Sequence, residues 1–395
     1  MKHLRLEAFN LLKSFKLITG KNLDFEFVNP NDIKEEDIMG FKKELKSYGI
    51  QELNVYLDDG VTKSIFPGAL IDYKGKRKAV NFFEDYQYFL DDFYKKMNLQ
   101  TPEIGKIDDD KVSEAIDNLE YAFISAIYAL YRDKKPKIAF LEGHGELAAH
   151  QIYDITGMHY DNDTDSNYVN KSWGDRNLAY HYSVERFNIS DFHLGEFNKL
   201  SRLPVPASIS SSDSIYKGKY FYQKAIEQTI IELRKFELLV IAKPEDLFSK
   251  LEKLIVDQYI MHGGKVIWII DGVKIAQDSI SSTVSILNLN LDDQLYRYGV
   301  EIEHKLIEDF RSVPVKGVQR YPFQNPLFFS ATNENAHILS EGLDAIRGEF
   351  ASPIKIVNNK IEKTVLLTSS KESRVLPTGI RLSTAVPQKR TFTKN

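Results

Sequence analysis

The feature that most constrains the fold is a pair of short, continuously apolar runs in the second half of the chain, Leu238 to Ala242 and Val266 to Ile270. Strands that are apolar at every position are typical of parallel sheets covered by helices on both faces. Ser249 to His262 lies between the runs, has helical periodicity and ends at Gly263-Gly264. A strand, a crossover helix and a second strand in this order predict a parallel βαβ unit.

The same alternation of strands and helices extends in both directions from this unit. Ile138 to Leu141 and Ser183 to Ile189 read as two further strands, and Leu291 to Tyr298 reads as a helix that ends at Gly299. Later apolar runs at Ile354 to Val357 and Thr364 to Thr368 add strands. We therefore predict a doubly wound α/β domain with a mainly parallel sheet over residues 136–383, followed by a frayed tail over residues 384–395.

Residues 1–109 predict a smaller α/β domain. An amphipathic helix and a strand from Leu23 to Val28 open it, and a helix follows from Glu35 to Tyr48. Three antiparallel strands complete it: Leu53 to Leu57, Ala69 to Tyr73 and Lys78 to Phe83. This order resembles a thioredoxin-like fold without its first strand, which would precede Met1. A long helix over residues 110–135 is expected to link the two domains.

Composition excludes several classes of function. Fifty-two basic and 56 acidic residues give a net charge of −4, which does not supply the positive field that nucleic acids require. The absence of cysteine removes disulfides, thiolate metal sites, cysteine nucleophiles and thioredoxin redox chemistry. No run approaches the roughly 18–20 apolar residues of a membrane span. The charged start, Met1 to Glu7, does not fit a signal peptide, so we expect a portion of a longer protein.

One loop is the best candidate for a site. The sequence Glu142-Gly143-His144-Gly145-Glu146 follows a predicted strand and is expected to open a helix. Asp271 follows another strand of the same sheet. Ligands of open α/β folds bind at the carboxyl ends of the strands, and a helix N-terminus favours anions. We therefore expect these six residues to cluster at one sheet edge and to form a ligand or partner loop.

Two alternatives for this loop stay open. It can be a tight turn in which His144 and Glu146 make local hydrogen bonds, or a metal site built from Glu142, His144, Glu146 and His150. The spacing matches no recognised ligand motif, and the chain lacks a nucleophile elbow, a phosphate-binding loop and a dinucleotide fingerprint. We expect a His144→Ala change to cost at most about 1–2 kcal/mol through lost local hydrogen bonds.

A polar stretch from Met158 to His181 interrupts the alternation of strands and helices. A second hypothesis is a solute- or glycan-binding receptor. It rests on aromatic residues in this stretch, Trp173 and Tyr180, and on Tyr182 directly after it. The part from Asp161 to Asp175 has few apolar side chains to offset the entropy of ordering. We predict that this part is poorly ordered or strongly exposed.

Several ordered blocks resemble the auxiliary-transport domain of the GldG family of gliding-motility-associated ABC transporter subunits. The blocks are Ile138 to Leu147, Leu239 to Pro244, Asp257 to Asp271, Leu289 to Leu295 and Tyr298 to Val300. The resemblance implies a glutamine-amidotransferase-like sheet domain, similar to that of intraflagellar-transport proteins. It also implies a periplasmic protein of gliding bacteria, tethered to the inner membrane by segments outside this chain.

The resemblance leads to a functional prediction. We expect a non-enzymatic binding or coupling subunit whose partners are the ATPase and permease subunits of an ABC transporter, with other gliding or envelope proteins as further partners. The family offers no catalytic residues to carry over, and we expect no cofactor and no metal. A metal-assisted hydrolase at the His144 loop is the enzyme alternative.

Overall fold

The fold is described from a computed structural model that covers most of the chain. The described residues are 2–30, 33–50, 52–56, 62–83, 109–132, 134–156, 158–160, 168–170, 178–204, 214–277, 282–311, 324–329 and 346–382. Contacts divide the chain into two compact units. The first contains residues 1–136 and 149–184, and the second contains residues 137–148 and 185–395. The architecture is mixed α/β, with one parallel sheet and several antiparallel ones.

The first unit is built on long helices and short antiparallel strand pairs. Its opening elements are α1 (Lys2–Thr19), α2 (Glu35–Ser47), β1 (Leu53–Tyr56), β2 (Thr62–Ile65), β3 (Gly68–Tyr73), β4 (Lys76–Asn81) and α3 (Asp109–Tyr131). β1 pairs with β2 and β3 with β4. Leu4 and Ala8 of α1 pack on Leu119 and Phe123 of α3. The helix expected to link two domains therefore belongs to the core of this unit.

The predicted strand from Leu23 to Val28 is absent. Leu23 has extended backbone angles, but no ladder partner pairs with this segment among the described residues. Its alternating phenylalanines pack instead on α1, with the Phe25 and Phe27 rings 5.9 and 6.2 Å from that of Phe9. The alternation that predicted a strand thus reflects two aromatic contacts with a helix.

The elements of the middle of the chain follow in order. They are β5 (Lys137–Glu142), α4 (Tyr153–Thr156), β6 (Met158–Tyr160), β7 (Tyr168–Asn170), α5 (Leu178–His181), β8 (Ser183–Asn188), α6 (Ile189–Leu200), α7 (Ser214–Leu233), β9 (Leu238–Ala242), α8 (Lys250–Met261) and β10 (Lys265–Ile269). β6 and β7 form an antiparallel pair. Residues 149–184, which contain α4, β6, β7 and α5, belong to the first unit. The sequence analysis had assigned them to the predicted domain over residues 136–383, most of which lies in the second unit.

A four-stranded sheet organises the second unit. Its spatial order is β8, β5, β9, β10. β9 runs parallel to both neighbours, with Ile138 of β5 opposite Leu238 and with Val266 of β10 opposite Leu239. The prediction that these strands share one parallel sheet is confirmed. The strand order along the sheet reverses between β5 and β9, the kind of position where open α/β sheets place their ligands.

β9 and β10 differ in burial, although both are continuously apolar. The last four residues of β9 are buried, whereas Ile267 and Ile269 of β10 are each 47% exposed. β10 lies at one end of the described sheet, and Val266 and Trp268 pack against the core while Ile267 and Ile269 do not. The prediction of cover on both faces is therefore wrong for β10.

The core of the second unit lies between this sheet and its helices. Fully buried side chains from β9 and α8 form its centre, including Leu239, Ile241, Ile255 and Tyr259. The Tyr259 hydroxyl donates to the Phe236 carbonyl over 3.1 Å, so the one polar group of this set is satisfied. This packing holds α8 against a face of the sheet.

The described residues after β10 form one helix and several small antiparallel sheets. Their elements are β11 (Val273–Gln277), β12 (Ser282–Ile286), α9 (Asp292–Tyr298), β13 (Val300–Ile302), β14 (Leu306–Asp309), β15 (Gln324–Phe329), β16 (Ile346–Glu349), β17 (Ile354–Ile356), β18 (Leu367–Thr368), β19 (Ser373–Leu376) and β20 (Arg381–Leu382). The predicted late strands exist as β17 and β18, but both belong to antiparallel pairings. α9 ends at Gly299 as predicted, in a left-handed conformation.

Candidate functional site

Three loops meet at the carboxyl edge of the parallel sheet. The Glu142-to-Glu146 loop follows β5, Lys243 follows β9, and Asp271 comes shortly after β10. The Lys243 N–H donates to the Ile269 carbonyl over 2.8 Å, and its Nζ lies 3.2 Å from Asp271 Oδ2. The fold therefore brings the loops that carry the predicted site residues to one sheet edge, as the parallel strands require.

The loop after β5 does not open a helix. Gly143 and Gly145 have φ values of +117° and +72°, outside the right-handed helical region, and residues 143–148 are not helical. The His144 carbonyl accepts hydrogen bonds from the Glu245 and Asp246 N–H groups over 2.7 and 2.9 Å. A Cβ on Gly145 would lie 3.3 Å from the Glu245 Cβ. The expected helix N-terminus is absent because the chain here turns back to close against the loop after β9.

His144 lies buried between two carboxylates. Its residue is 2% exposed. Nδ1 lies 3.1 Å from Oε1 of Glu146, and Nε2 lies 3.1 Å from Oε2 of Glu252. Because Nε2 has no well-aligned acceptor, the second contact is an ion pair rather than a directed hydrogen bond. The imidazole stacks on Phe248, with ring centroids 3.7 Å apart and planes 5° from parallel.

Both carboxylates are held by further hydrogen bonds. Glu146 accepts the backbone N–H of His144 over 2.7 Å. Glu252 accepts the Ser190 hydroxyl over 2.6 Å and the Ser249 backbone N–H over 2.8 Å, the latter within a capping box at the start of α8. These bonds leave the carboxylates little freedom to move. We call His144, Glu146 and Glu252, with Phe248 and Ser190, the histidine latch.

Burial and charge oppose each other in the latch. Burial by itself would lower the pKa of His144, but the contacts with Glu146 and then Glu252 outweigh it and raise that pKa to about 9. Burial would raise the pKa of Glu252, whereas its ion pair with His144 and its hydrogen bonds with Ser190 and Ser249 lower it to about 2. The imidazole is therefore a cation at neutral pH, held between two anions.

The two outer members of the predicted site have their own partners. Glu142 pairs with the Arg186 guanidinium, whose Nη1 donates to the Leu147 carbonyl over 3.1 Å. Burial raises the pKa of Asp271, and the neighbouring Lys243 opposes that rise. Lys243 itself has a φ of +53°. A non-glycine residue in this left-handed region is strained, so the loop geometry is enforced by its surroundings.

This arrangement does not suit acid–base or metal chemistry. A general base needs a free nitrogen within reach of a substrate proton, and both nitrogens of His144 face carboxylate oxygens. In the described parts of the chain, no three His, Cys, Asp or Glu side chains form a group that could hold a metal ion. The metal interpretation based on Glu142, His144, Glu146 and His150 therefore gains no support, and the local-turn interpretation fits the geometry.

Two of the three aromatic residues proposed for a solute receptor, Tyr180 and Tyr182, are among the described residues. Tyr180 is 9% exposed, and its ring lies beneath Lys78, with the Nζ 4.2 Å from the ring centroid. Tyr182 is partly buried. Trp173 and most of the stretch from Asp161 to Asp175 lie outside the described residues, so the exposure prediction for that stretch stays a prediction.

Glu252 and Ser190 were missed by the sequence analysis. A capping box, Ser249 followed three residues later by Glu252, was visible at the start of the predicted crossover helix. That signal explains the helix start but not the approach of Glu252 to His144, more than 100 residues earlier in the chain. Only the packing of α8 against the β5 loop brings the two side chains together.

Comparisons with known proteins complete the description. None of the helices in the described ranges is long and apolar enough to cross a bilayer. No curated protein matches the chain. A solved structure titled "mmIFT52 N-terminal domain" aligns with 38% of this chain and 59% of its own length, at 15% identity and a TM-score of 0.28. That alignment spans less than two thirds of that chain, and at this score it carries no argument.

The family comparison is more extensive. The model of a family described as an ABC-type uncharacterized transport system matches residues 135–395, well over half of the chain. The matched residues include the histidine latch and all four strands of the parallel sheet, β5, β8, β9 and β10. The chain belongs to this family of auxiliary components of ABC-type transport systems.

Proposed function

We propose that the chain is a non-enzymatic coupling subunit of an ABC transporter associated with gliding motility. Its partners would be the ATPase and permease subunits, met directly or through membrane anchors outside this chain. Family membership supports an auxiliary role in transport. The GldG-like blocks from Ile138 to Asp271 support the gliding association and a periplasmic position on the inner membrane.

The non-enzymatic role is supported mainly by the hydrogen bonds that join the loops at the carboxyl edge of the sheet. The loops after β5 and β9 are joined by the bonds from Glu245 and Asp246 to the His144 carbonyl and from the Leu147 N–H to the Ala242 carbonyl, the last over 3.0 Å. The polar groups that a ligand would need are therefore used within the protein. A sheet edge built in this way supports a rigid surface for a partner.

The finer fold assignment belongs to the same proposal. The sheet order β8, β5, β9, β10 supports a doubly wound, glutamine-amidotransferase-like core in the second unit. The β1–β2 and β3–β4 pairs, together with α1 and α2, support the thioredoxin-like fold proposed for residues 1–109.

An activity assay with a matched variant tests the non-enzymatic role. The wild type and a His144→Gln variant are incubated with generic ester, phosphate and peptide substrates, each with and without zinc. We expect no turnover in either protein, because no free base or nucleophile faces solvent at the latch. Turnover by the wild type that disappears in His144→Gln would replace this proposal with the metal-hydrolase alternative.

Thermal denaturation separates the remaining alternative, a solute receptor. A ligand that binds only the native state raises the melting temperature by mass action. We expect no rise with sugars or small anions. A saturable, concentration-dependent rise with one of these compounds would show a ligand site that the closed sheet edge does not explain.

A further inference from the structure

Helix α1 of the first unit has an exposed face on which basic and large apolar side chains alternate. Leu4, Ala8 and Phe15 of this helix belong to the core of the unit, where they pack with residues of α3. Spacings of three or four residues place a further six exposed side chains on the opposite face, over a length of about 22 Å. The six residues are Lys2, Leu6, Phe9, Lys13, Lys16 and Leu17. We call them the α1 face.

The apolar part of the α1 face lies open to solvent. Leu17, Leu6 and Phe9 are 79%, 54% and 42% exposed. Leu17 and its neighbour Ile18, at 83%, are the two most exposed large apolar side chains in the described parts of the chain. The segment that follows α1 enlarges the patch, since the ring of Phe27 lies 6.2 Å from that of Phe9 and is itself 39% exposed. Apolar side chains gathered on one surface in this way mark an interaction site.

The surface around the α1 face is positive, although the whole chain is negative. Residues 2–22 contain five basic side chains and one acidic side chain, Glu7, which lies 3.9 Å from His3. In the adjoining segment, Asp24 lies 2.7 Å from the Lys16 Nζ, and Glu26 is exposed. With both of these acids counted, the surface keeps a net charge of +2, against −4 for the whole chain. This charge favours a negatively charged partner.

The combination of apolar and basic groups on one helix face favours a lipid surface among negatively charged partners. A second copy of the chain would bring the lysines of two identical faces together, which is repulsive. A nucleic acid would neutralise the lysines but would leave Leu6 and Leu17 without an apolar environment. At a bilayer interface, apolar side chains enter the boundary of the acyl chains, while the long lysine side chains reach the head groups.

We propose that the α1 face docks on the surface of an anionic lipid bilayer, with α1 lying in the plane of the interface. Leu6, Phe9 and Leu17 insert between the head groups, and the lysines contact the anionic lipids. Arg5 and Lys16 already lie over aromatic rings, 5.4 Å from the centroid of Phe27 and 6.0 Å from that of Phe25, so cations and apolar groups share this surface. The inference does not rest on the coupling role proposed above, because it concerns lipid and not the transporter subunits.

Vesicle flotation of the full chain tests the lipid contact. Vesicles made of equal parts of phosphatidylcholine and phosphatidylglycerol are compared with vesicles of phosphatidylcholine alone, at low and at high salt. The chain should float with the anionic vesicles at low salt, and binding should fall at least tenfold with neutral vesicles or at high salt. Failure to float with the anionic vesicles overturns the proposal, as does equal binding to both kinds of vesicle.

Matched variants separate the α1 face from the rest of the surface. Leu17→Gln should weaken binding about tenfold, whereas Met39→Gln, 76% exposed on α2, should stay within about twofold of the wild type. Lys13→Gln should weaken binding about fivefold, whereas Lys43→Gln, an exposed lysine of α2 with the same change in charge, should not. Equal binding by the α1 variants and their controls would refute the assignment to this face.

A polarity-sensitive fluorophore on a single cysteine reports which residues enter the lipid, since the native chain has no cysteine. Emission from labelled Leu17→Cys should shift to shorter wavelength when anionic vesicles are added, whereas emission from labelled Met39→Cys should not. Equal shifts at both positions would contradict docking through α1. Self-association that Leu17→Gln abolishes, without vesicle binding by the wild type, would show that the face meets a second copy and would refute the lipid surface.

Discussion

Neutralising His144 should destabilise the second unit in a pH-dependent way. The fold raises the pKa of His144 from 6.5 to about 9, which corresponds to about 3 kcal/mol of stability. Because the folded pKa is the higher one, this stability is fully present below pH 6.5. It is lost as the pH rises through 9. The lowered pKa of Glu252 adds a second pH dependence at the acid side. The contribution of Glu252 to the free energy of unfolding is present above pH 4.5 and is lost as the pH falls through 2.

The largest effect is therefore expected between pH 4.5 and 6.5. A His144→Ala change leaves Glu146 and Glu252 buried without their cation and removes the stacking on Phe248. Removing one partner of a buried ion pair costs about 3–5 kcal/mol. This expected cost is larger than the sequence-based figure of at most about 1–2 kcal/mol, which counted local hydrogen bonds and not two buried carboxylates.

Urea denaturation followed by tryptophan fluorescence measures the loss of stability in the second unit, which contains His144. The chain has two tryptophans, so a Trp173→Phe background leaves Trp268 of β10 as the reporter. The variant is His144→Gln, and the control is His262→Gln at the exposed end of α8. The His144→Gln deficit should shrink by about 3 kcal/mol between pH 6 and pH 10, whereas the control should stay within about 0.5 kcal/mol of the wild type.

Two results would refute this reasoning. Parallel pH profiles for the wild type and His144→Gln would mean that the imidazole carries no extra charge in the folded state. A double-mutant cycle with Glu252→Gln should give a coupling free energy of about 0.5–3 kcal/mol. A coupling near zero would mean that the 3.1 Å contact between Nε2 and Oε2 contributes nothing.

Three further predictions concern the loops around the latch. Gly145→Ala should cost about 1–3 kcal/mol in urea denaturation because of its positive φ and its contact with the β9 loop, whereas Gly263→Ala, with positive φ but open space, should cost about 1 kcal/mol. Asp271→Asn should match or exceed wild-type stability at pH 7, because the raised pKa shows that its ionised form is disfavoured in the fold; Lys243→Met should lower that stability by removing the compensating cation. Ser249→Ala should cost about 1 kcal/mol, with faster amide exchange in the first turn of α8.

The parallel sheet was predictable because its signals are local. Continuous apolar runs such as Leu238 to Ala242 need cover on two faces, and a capped amphipathic helix between two of them leaves few topologies. The same logic placed the β5 loop and Asp271 at one sheet edge. The edge position of β10 was not predictable, since an apolar run does not reveal how many neighbours its strand has.

The errors have a common physical origin in contacts between distant parts of the chain. Leu23 to Val28 alternates like a strand, yet its aromatic side chains pack on a helix. The glycines around His144 suggested a helix start, but their positive φ values serve a turn that closes on the β9 loop. Glu252 carried a readable capping signal, while its pairing with His144 depends on the tertiary packing of α8.

Purification from native membranes tests the central claim most directly. The affinity-tagged full-length protein is solubilised in mild detergent and captured, and the captured proteins are identified and quantified by mass spectrometry against an untagged control. The account predicts that one ABC-type ATPase and one membrane permease are enriched together in fixed ratio to the tagged chain. Capture of the tagged protein without either subunit would contradict it.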